Sequence, residues 1–149
     1  MIMGELTEFA DAATIATAIG TANLGDCIDL GAGVPVAGGD IEDLDLVVSM
    51  DTAATSAGSA TVQFQLVTDS QAPPRVDGNQ VVLATSGPIP VANLVAGYAA
   101  WIADLPETFN YKRYLGIQSV VATAALTAGK ANAFLTPDAG LWTAVKAGI

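Results

Sequence analysis

Two stretches of strict alternation constrain the fold more than any other feature. From Asp43 to Asp51, Leu44, Leu46, Val48 and Met50 fall on one face, and Asp43, Asp45, Ser49 and Asp51 share the other with Val47. From Thr61 to Asp69, Val62, Phe64 and Leu66 oppose Thr61, Gln63, Gln65 and Asp69. A period of two places successive side chains on opposite faces of a sheet, so each stretch predicts a strand with one dry and one wet face. The small residues Thr52 to Ser59 between them predict a long turn joining an antiparallel pair.

Shorter strands follow. Gln80 to Ser86 ends at Gly87-Pro88. Arg113 to Val121 sets Leu115, Ile117 and Val121 against Tyr114, Gln118 and Val120. Lys130 to Thr136 sets Ala131, Ala133 and Leu135 against Asn132 and Phe134. Asp26 to Leu30 and Thr14 to Ala18 read as two more. Turn chemistry separates them at Gly31 to Gly39, Ser70 to Asn79, Gly87 to Pro90 and Ala128-Gly129. Val91 to Ala103 has a partly helical spacing, but Gly97, the aromatic residues and Pro106 favour a loop leading into a strand from Tyr98 to Leu105. Many short strands at this spacing predict an all-β, single-domain antiparallel β-sandwich or jelly roll. Its core spans about residues 10–138, preceded by a short N-terminal arm over 1–9 and followed by a tail over 139–149. In the tail, Leu141, Trp142 and Val145, with Lys146 in the last turn, suit one short amphipathic helix that needs a surface to pack on.

Charge and residue inventory then narrow the function. Five Lys+Arg stand against 15 Asp+Glu, a net charge of −10. Binding nucleic acid takes clustered basic side chains, and binding an anionic membrane takes basic segments; neither is expected here. No apolar run reaches the length of a membrane span. The first ten residues carry Glu5 and Glu8 and no basic residue, unlike a signal peptide. With no histidine and a single cysteine, Cys27, the chain has no Ser-His-Asp triad, no Cys-His pair, no internal disulfide and no ordinary zinc site. Only 13% of residues are charged, against about 25% in ordinary domains, and such a weakly charged surface suits coverage by a partner.

The remaining motifs fail their own tests. Gly31 to Gly39 lacks the third glycine and following helix of a dinucleotide fingerprint, and no Gly-Lys-Ser/Thr occurs. The acidic run Asp40 to Asp45 lacks the ligand spacing of a calcium loop. Asp45, Asp51, Asp69, Asp104 and Glu107 supply carboxylates, but nothing pairs them across a cleft. The expectation is no enzyme, no cofactor and no metal. Arg75, behind Pro73-Pro74, is expected to project from a rigid loop, and Lys112 and Arg113 to open a strand between Tyr111 and Tyr114. These three basic residues are candidates for contact with an acidic partner or neighbouring subunit. Ile2, Leu6 and Phe9 give the arm an apolar stripe for the same purpose, and Leu141, Trp142 and Val145 do so for the tail.

An ordered set of short blocks gives the chain a resemblance. They are Ile28-Asp-Leu-Gly31, Val47-Val-Ser-Met-Asp51 with Gly58, and Thr61-Val-Gln-Phe-Gln-Leu66. Then come Leu83-Ala-Thr-Ser-Gly-Pro-Ile-Pro-Val91 with Leu94 and Gly97, Leu105-Pro106, Arg113-Tyr-Leu115, and Leu126-Thr-Ala-Gly-Lys130 with Ala133. In this order and spacing, from Ile28 to about Asp138, the chain resembles the jelly-roll capsid cement (decoration) proteins of tailed bacteriophages, Bordetella-phage type. The resemblance implies a non-enzymatic virion protein, made in the host cytoplasm and bound to the outer capsid surface. It implies clamping of neighbouring major capsid proteins, and self-association as a homodimer or homotrimer. The tail from Ala139 to Ile149 departs from the family pattern. A host-attachment or carbohydrate-binding sandwich, or a head or tail completion subunit, is the alternative that the same fold would serve.

Overall fold

The structure, a computed structural model, describes residues 8–29, 36–37, 45–105 and 110–136. Along the chain come β1 (Glu8–Thr14), β2 (Gly20–Asp29), β3 (Val36–Ala37), β4 (Asp45–Ser56), β5 (Thr61–Asp69), β6 (Val81–Thr85) and β7 (Ile89–Pro90). A single 3-10 turn (Val91–Asn93) leads to β8 (Ala99–Asp104), β9 (Asn110–Tyr111), β10 (Tyr114–Ala122) and β11 (Leu126–Thr136). One sheet runs β1-β11-β4-β8. The other runs β2-β10-β5-β6, with the two-residue β7 also paired to β5, and β3 pairs with β9 apart from both. Every pairing is antiparallel.

The pairings are nested. β1 meets β11, β2 meets β10, β3 meets β9, β4 meets β8, and β5 meets β6. The chain is thus one long hairpin, outgoing through β5 and returning from β6. Rolling that ribbon up brings β11 beside β4 and β10 beside β5, which is how a jelly roll forms its two sheets.

This topology corrects one expectation. β4 and β5 are both present with the predicted dry faces, but they do not pair. A rolled ribbon sends successive outgoing strands to opposite sheets, so only the tip, β5 to β6, is a true hairpin. The small residues Thr52 to Ser56 continue β4, leaving a short connection to β5. Three further boundaries also differ: β11 begins at Leu126 and runs through Ala128-Gly129, where a turn was expected. The first strand covers Glu8–Thr14, not Thr14 to Ala18, and the second begins at Gly20, well before Asp26. The strand after Tyr98 stands as expected, at Ala99–Asp104, and the preceding stretch is helical only for the 3-10 turn.

Between the sheets, Leu46, Val48 and Met50 of β4 belong to one apolar cluster with Val62, Phe64 and Leu66 of β5, Leu115 and Ile117 of β10, and Ala131 and Leu135 of β11. Removing such side chains from water is the main stabilising contribution, about 1.5–3 kcal/mol for each large one. Phe9 joins this cluster at 2% exposure. It is therefore not an arm residue awaiting a partner: it sits in β1, where alternation points it inward. Ile2 and Leu6, like Leu141, Trp142 and Val145 and the expected tail helix, lie outside the described residues, as does most of Gly31 to Gly39.

β1 and β2 close one side of the sandwich, where glycine is required. Gly25 has φ +66°, and a Cβ there would run into the Phe9 carbonyl oxygen and come within 2.8 Å of the Ala10 Cβ. The register of β2 against β10 shifts just here, between Leu115 and Ile117. A bulge is how a strand bends to turn a corner.

Candidate interaction surfaces

The outward face of β5 was expected to be wet. Instead Gln65, Val67 and Asp69 are buried, because the loop Ser70 to Gln80 folds back across its sheet and is fastened there by polar groups. Asp69 is the first fastening. Its carboxylate accepts from the Arg75 guanidinium at 2.8 and 3.0 Å, from the Arg75 backbone N–H at 2.8 Å and from the Ser70 N–H at 2.7 Å. The Arg75 hydrogen bond above all, with the two backbone donors and the guanidinium charge, holds this carboxyl well below the usual carboxylate range despite its burial. Arg75 thus turns inward along the loop to Asp69, and the expectation that Pro73-Pro74 projects it outward is corrected. Six residues apart, an acid and an arginine flanking two prolines were the signal for this clamp.

Gln118 is the second fastening. Fully buried on β10, its amide donates to Asn23 Oδ1 at 3.0 Å and to the Arg75 carbonyl at 2.9 Å. Its oxygen accepts from Gln65 at 2.9 Å and Gln80 at 3.1 Å. Asn23 in turn donates to the Pro74 carbonyl at 2.9 Å, and Pro74 packs over Gly116, where a Cβ would meet its ring at 2.9 Å. Among the described residues, no buried side-chain nitrogen or oxygen lacks a partner. A fully satisfied buried network holds a loop in one conformation.

The other two basic candidates sit at the start of β10. Arg113 makes a two-pronged pair with Asp29 of β2, both contacts 2.9 Å, and its guanidinium lies 5.0 Å from the Tyr114 ring centroid. Both charged partners are about half exposed, so the pair is a surface brace between neighbouring strands. The Lys112 backbone N–H donates to Thr68 Oγ1, whose hydroxyl donates to the Tyr114 carbonyl, tying this corner to β5. Structure therefore separates the basic candidates: Arg75 belongs to the loop clamp, and Lys112 and Arg113 lie together at a different corner.

On the β1/β2 side an open hollow of about 1150 Å³ is lined by Glu8, Asp11 and Asp26, by Cys27, and by Pro73 and Pro74 of the anchored loop. Burial pushes the Cys27 thiol up, away from the reactive thiolate. At one end of the first sheet, Asp45 and Asp104 are cross-strand neighbours. Their side-chain hydrogen bond, then burial, then the Asp104 charge raise Asp45 to about 6. Among the described residues no group of three or more His, Cys, Asp or Glu could hold a metal.

The side opposite the hollow is built from β6 and β8, the edge strands of the two sheets. Between Asp77 and Asp104 the sequence contains no charged residue, and this run includes both strands. Val82, Val95, Tyr98 and Ile102, four of the large apolar side chains exposed among the described residues, stand in it. The uncharged run was visible in the sequence. What made it a surface was the topology that brings β6 and β8 to one side.

An anchored loop, an acidic side and an uncharged side thus stand on a jelly roll of two antiparallel sheets. A family model, Bbp16, matches residues 9–135, nearly the whole sandwich, and the chain belongs to that family, one of Bordetella phage proteins. No curated protein matches the chain.

Proposed function

We propose that this phage protein is a non-enzymatic structural component of the virion, a cement protein that binds the outer surface of the expanded head and clamps neighbouring major capsid proteins. The observation that carries the reading is the family match from residue 9 to residue 135, which spans the jelly roll from β1 to β11. Three physical features support it. A net charge of −10 keeps the protein off packaged DNA. The anchored loop Ser70 to Gln80 offers a surface already ordered, so little conformational entropy is lost on binding. Trp101 is partly buried and packed against the core, so it does not offer an open stacking platform for a sugar.

Cementing works by repetition. One contact of micromolar strength corresponds to about 8 kcal/mol, and bridging two coat subunits makes the second attachment intramolecular. The test is the temperature at which DNA-filled heads release DNA, with and without the purified protein added back. Decorated heads retain their DNA to a higher temperature on this reading; identical release curves contradict it.

A further inference from the structure

The hollow beside β1 and β2 has a wall held in place by the network already described. The Asn23 amide donates to the Pro74 carbonyl at 2.9 Å, Pro74 packs over Gly116, and the loop carrying Pro73 and Pro74 is fastened through Arg75 to Asp69 and Gln118. The two strands that border the hollow both bulge here. Leu24 and Ile28 of β2 pair with Ile117 and Leu115, so Gly25, Asp26 and Cys27 stand opposite Gly116 alone. β1 shifts register between Glu8 and Ala10, and again between Ala10 and Ala13. A bulge interrupts regular pairing and re-aims side chains, and Asp11 and Asp26 of these irregular stretches line the hollow.

Asp11 and Asp26 are exposed and Glu8 is half-buried. The ion pairs among the described residues, Arg75 with Asp69 and Arg113 with Asp29, leave all three carboxylates unneutralised. They do not gather as metal ligands either, since among the described residues no group of three or more His, Cys, Asp or Glu could hold an ion. Ala10, Ala13 and Pro73 add apolar surface to the same lining. Spaced carboxylates with apolar surface beside them match the aliphatic stem and charged head of lysine and arginine. At about 1150 Å³ the hollow exceeds the ~300–1,000 Å³ of a small-molecule site, and it is open, which suits a length of chain. We infer that this hollow is the docking groove for an extended segment of another protein that carries lysine or arginine. Charge complementarity selects that occupant and keeps a second copy out, because two chains of net charge −10 repel on this side. The inference rests on the proposed function for the identity of that protein, a coat subunit, and makes the β1/β2 side the one that faces the shell.

The full chain, titrated with a synthetic peptide that alternates arginine and threonine, tests the groove by amide chemical shifts. Saturable shifts at Asn23, Asp26 and Cys27 are expected. Asp11→Asn and Asp26→Asn combined weaken the binding by about 5-fold or more, the loss of two exposed ion pairs, while circular dichroism shows an intact sandwich. Asp51→Asn and Asp104→Asn combined, which remove the same charge from β4 and β8, leave it unchanged. Absence of binding, shifts centred elsewhere, equal weakening by both double variants, or equally tight binding of spermidine or of a lysine- and arginine-free peptide overturns the inference. Co-sedimentation with matured capsids separates the two readings. If the wild type binds and Asp11→Asn with Asp26→Asn binds equally well, the groove is refuted and the capsid reading stands. If the wild type does not bind capsids, the capsid reading fails and with it the coat subunit as occupant, whereas the peptide titration still decides the groove.

Discussion

Replacing Gln118 by leucine removes the hub that fastens the Ser70 to Gln80 loop while keeping the side chain's volume close to native. Four hydrogen bonds of 2.9–3.1 Å are lost together. Their partners differ in what they can do next. The Gln65 amide is buried, and leaving such a group unsatisfied costs about 1–3 kcal/mol. The Arg75 carbonyl beneath the loop adds about 1 kcal/mol, and Asn23 and Gln80, partly open to water, add about 0.5 kcal/mol each. The apolar replacement recovers part of this sum, leaving a net loss of about 3 kcal/mol. For a chain of this size that lowers Tm by about 6–12 °C. Urea unfolding at pH 7 measures the loss, and hydrogen exchange locates it: the Arg75 amide, bonded to Asp69 under the loop, exchanges faster in the variant. A loss below about 1 kcal/mol with unchanged loop protection would refute the reasoning, since the loop would then be held by something other than this network.

Other expectations follow from single positions. Phe9→Ala destabilises the fold by about 3–5 kcal/mol in urea unfolding, because Phe9 is core; a change within about 0.5 kcal/mol would return it to the arm. Gly25→Ala yields little soluble folded protein, since its Cβ meets the Phe9 carbonyl oxygen, whereas Gly78→Ala, at φ +93° but in open space, costs about 1–2 kcal/mol. Two carboxylates set opposite pH slopes. Asp45, raised to about 6, contributes stability that is complete below its unfolded value of 3.8 and lost as pH rises through about 6. Allowing for solvent screening this is about 1–2 kcal/mol, and Asp45→Asn flattens the stability profile between pH 4 and 6. Asp69, depressed by Arg75, contributes stability above its unfolded value that is lost as pH falls below about 4, and Asp69→Asn removes that acid limb.

Period-two alternation made the strands legible. Leu46, Val48 and Met50, and Val62, Phe64 and Leu66, are buried as that pattern requires. Alternation names a dry face but carries no information about which sheet a strand joins, so β4 and β5 read as neighbours when the ribbon places them in opposite sheets. The polar face of β5 was misread for a related reason. Gln65 and Asp69 look solvated in sequence, and only the fold-back of the next loop, through Asp69, Arg75 and Gln118, buries them. Phe9 was read as an arm residue because Ile2, Leu6 and Phe9 form an apolar stripe by themselves, while its place in the core depends on pairing with β11, more than a hundred residues away. The uncharged run from Gly78 to Ala103 is plain in the sequence. That it forms one side of the molecule depends on β6 and β8 ending the two sheets together.

The capsid assignment is tested most directly by co-sedimentation of the purified protein with matured, undecorated capsids and with unexpanded shells. The account predicts saturable binding to the matured shells, at a fixed ratio to coat protein copies. Absence of binding to either shell, by a protein that is folded and soluble, would contradict it.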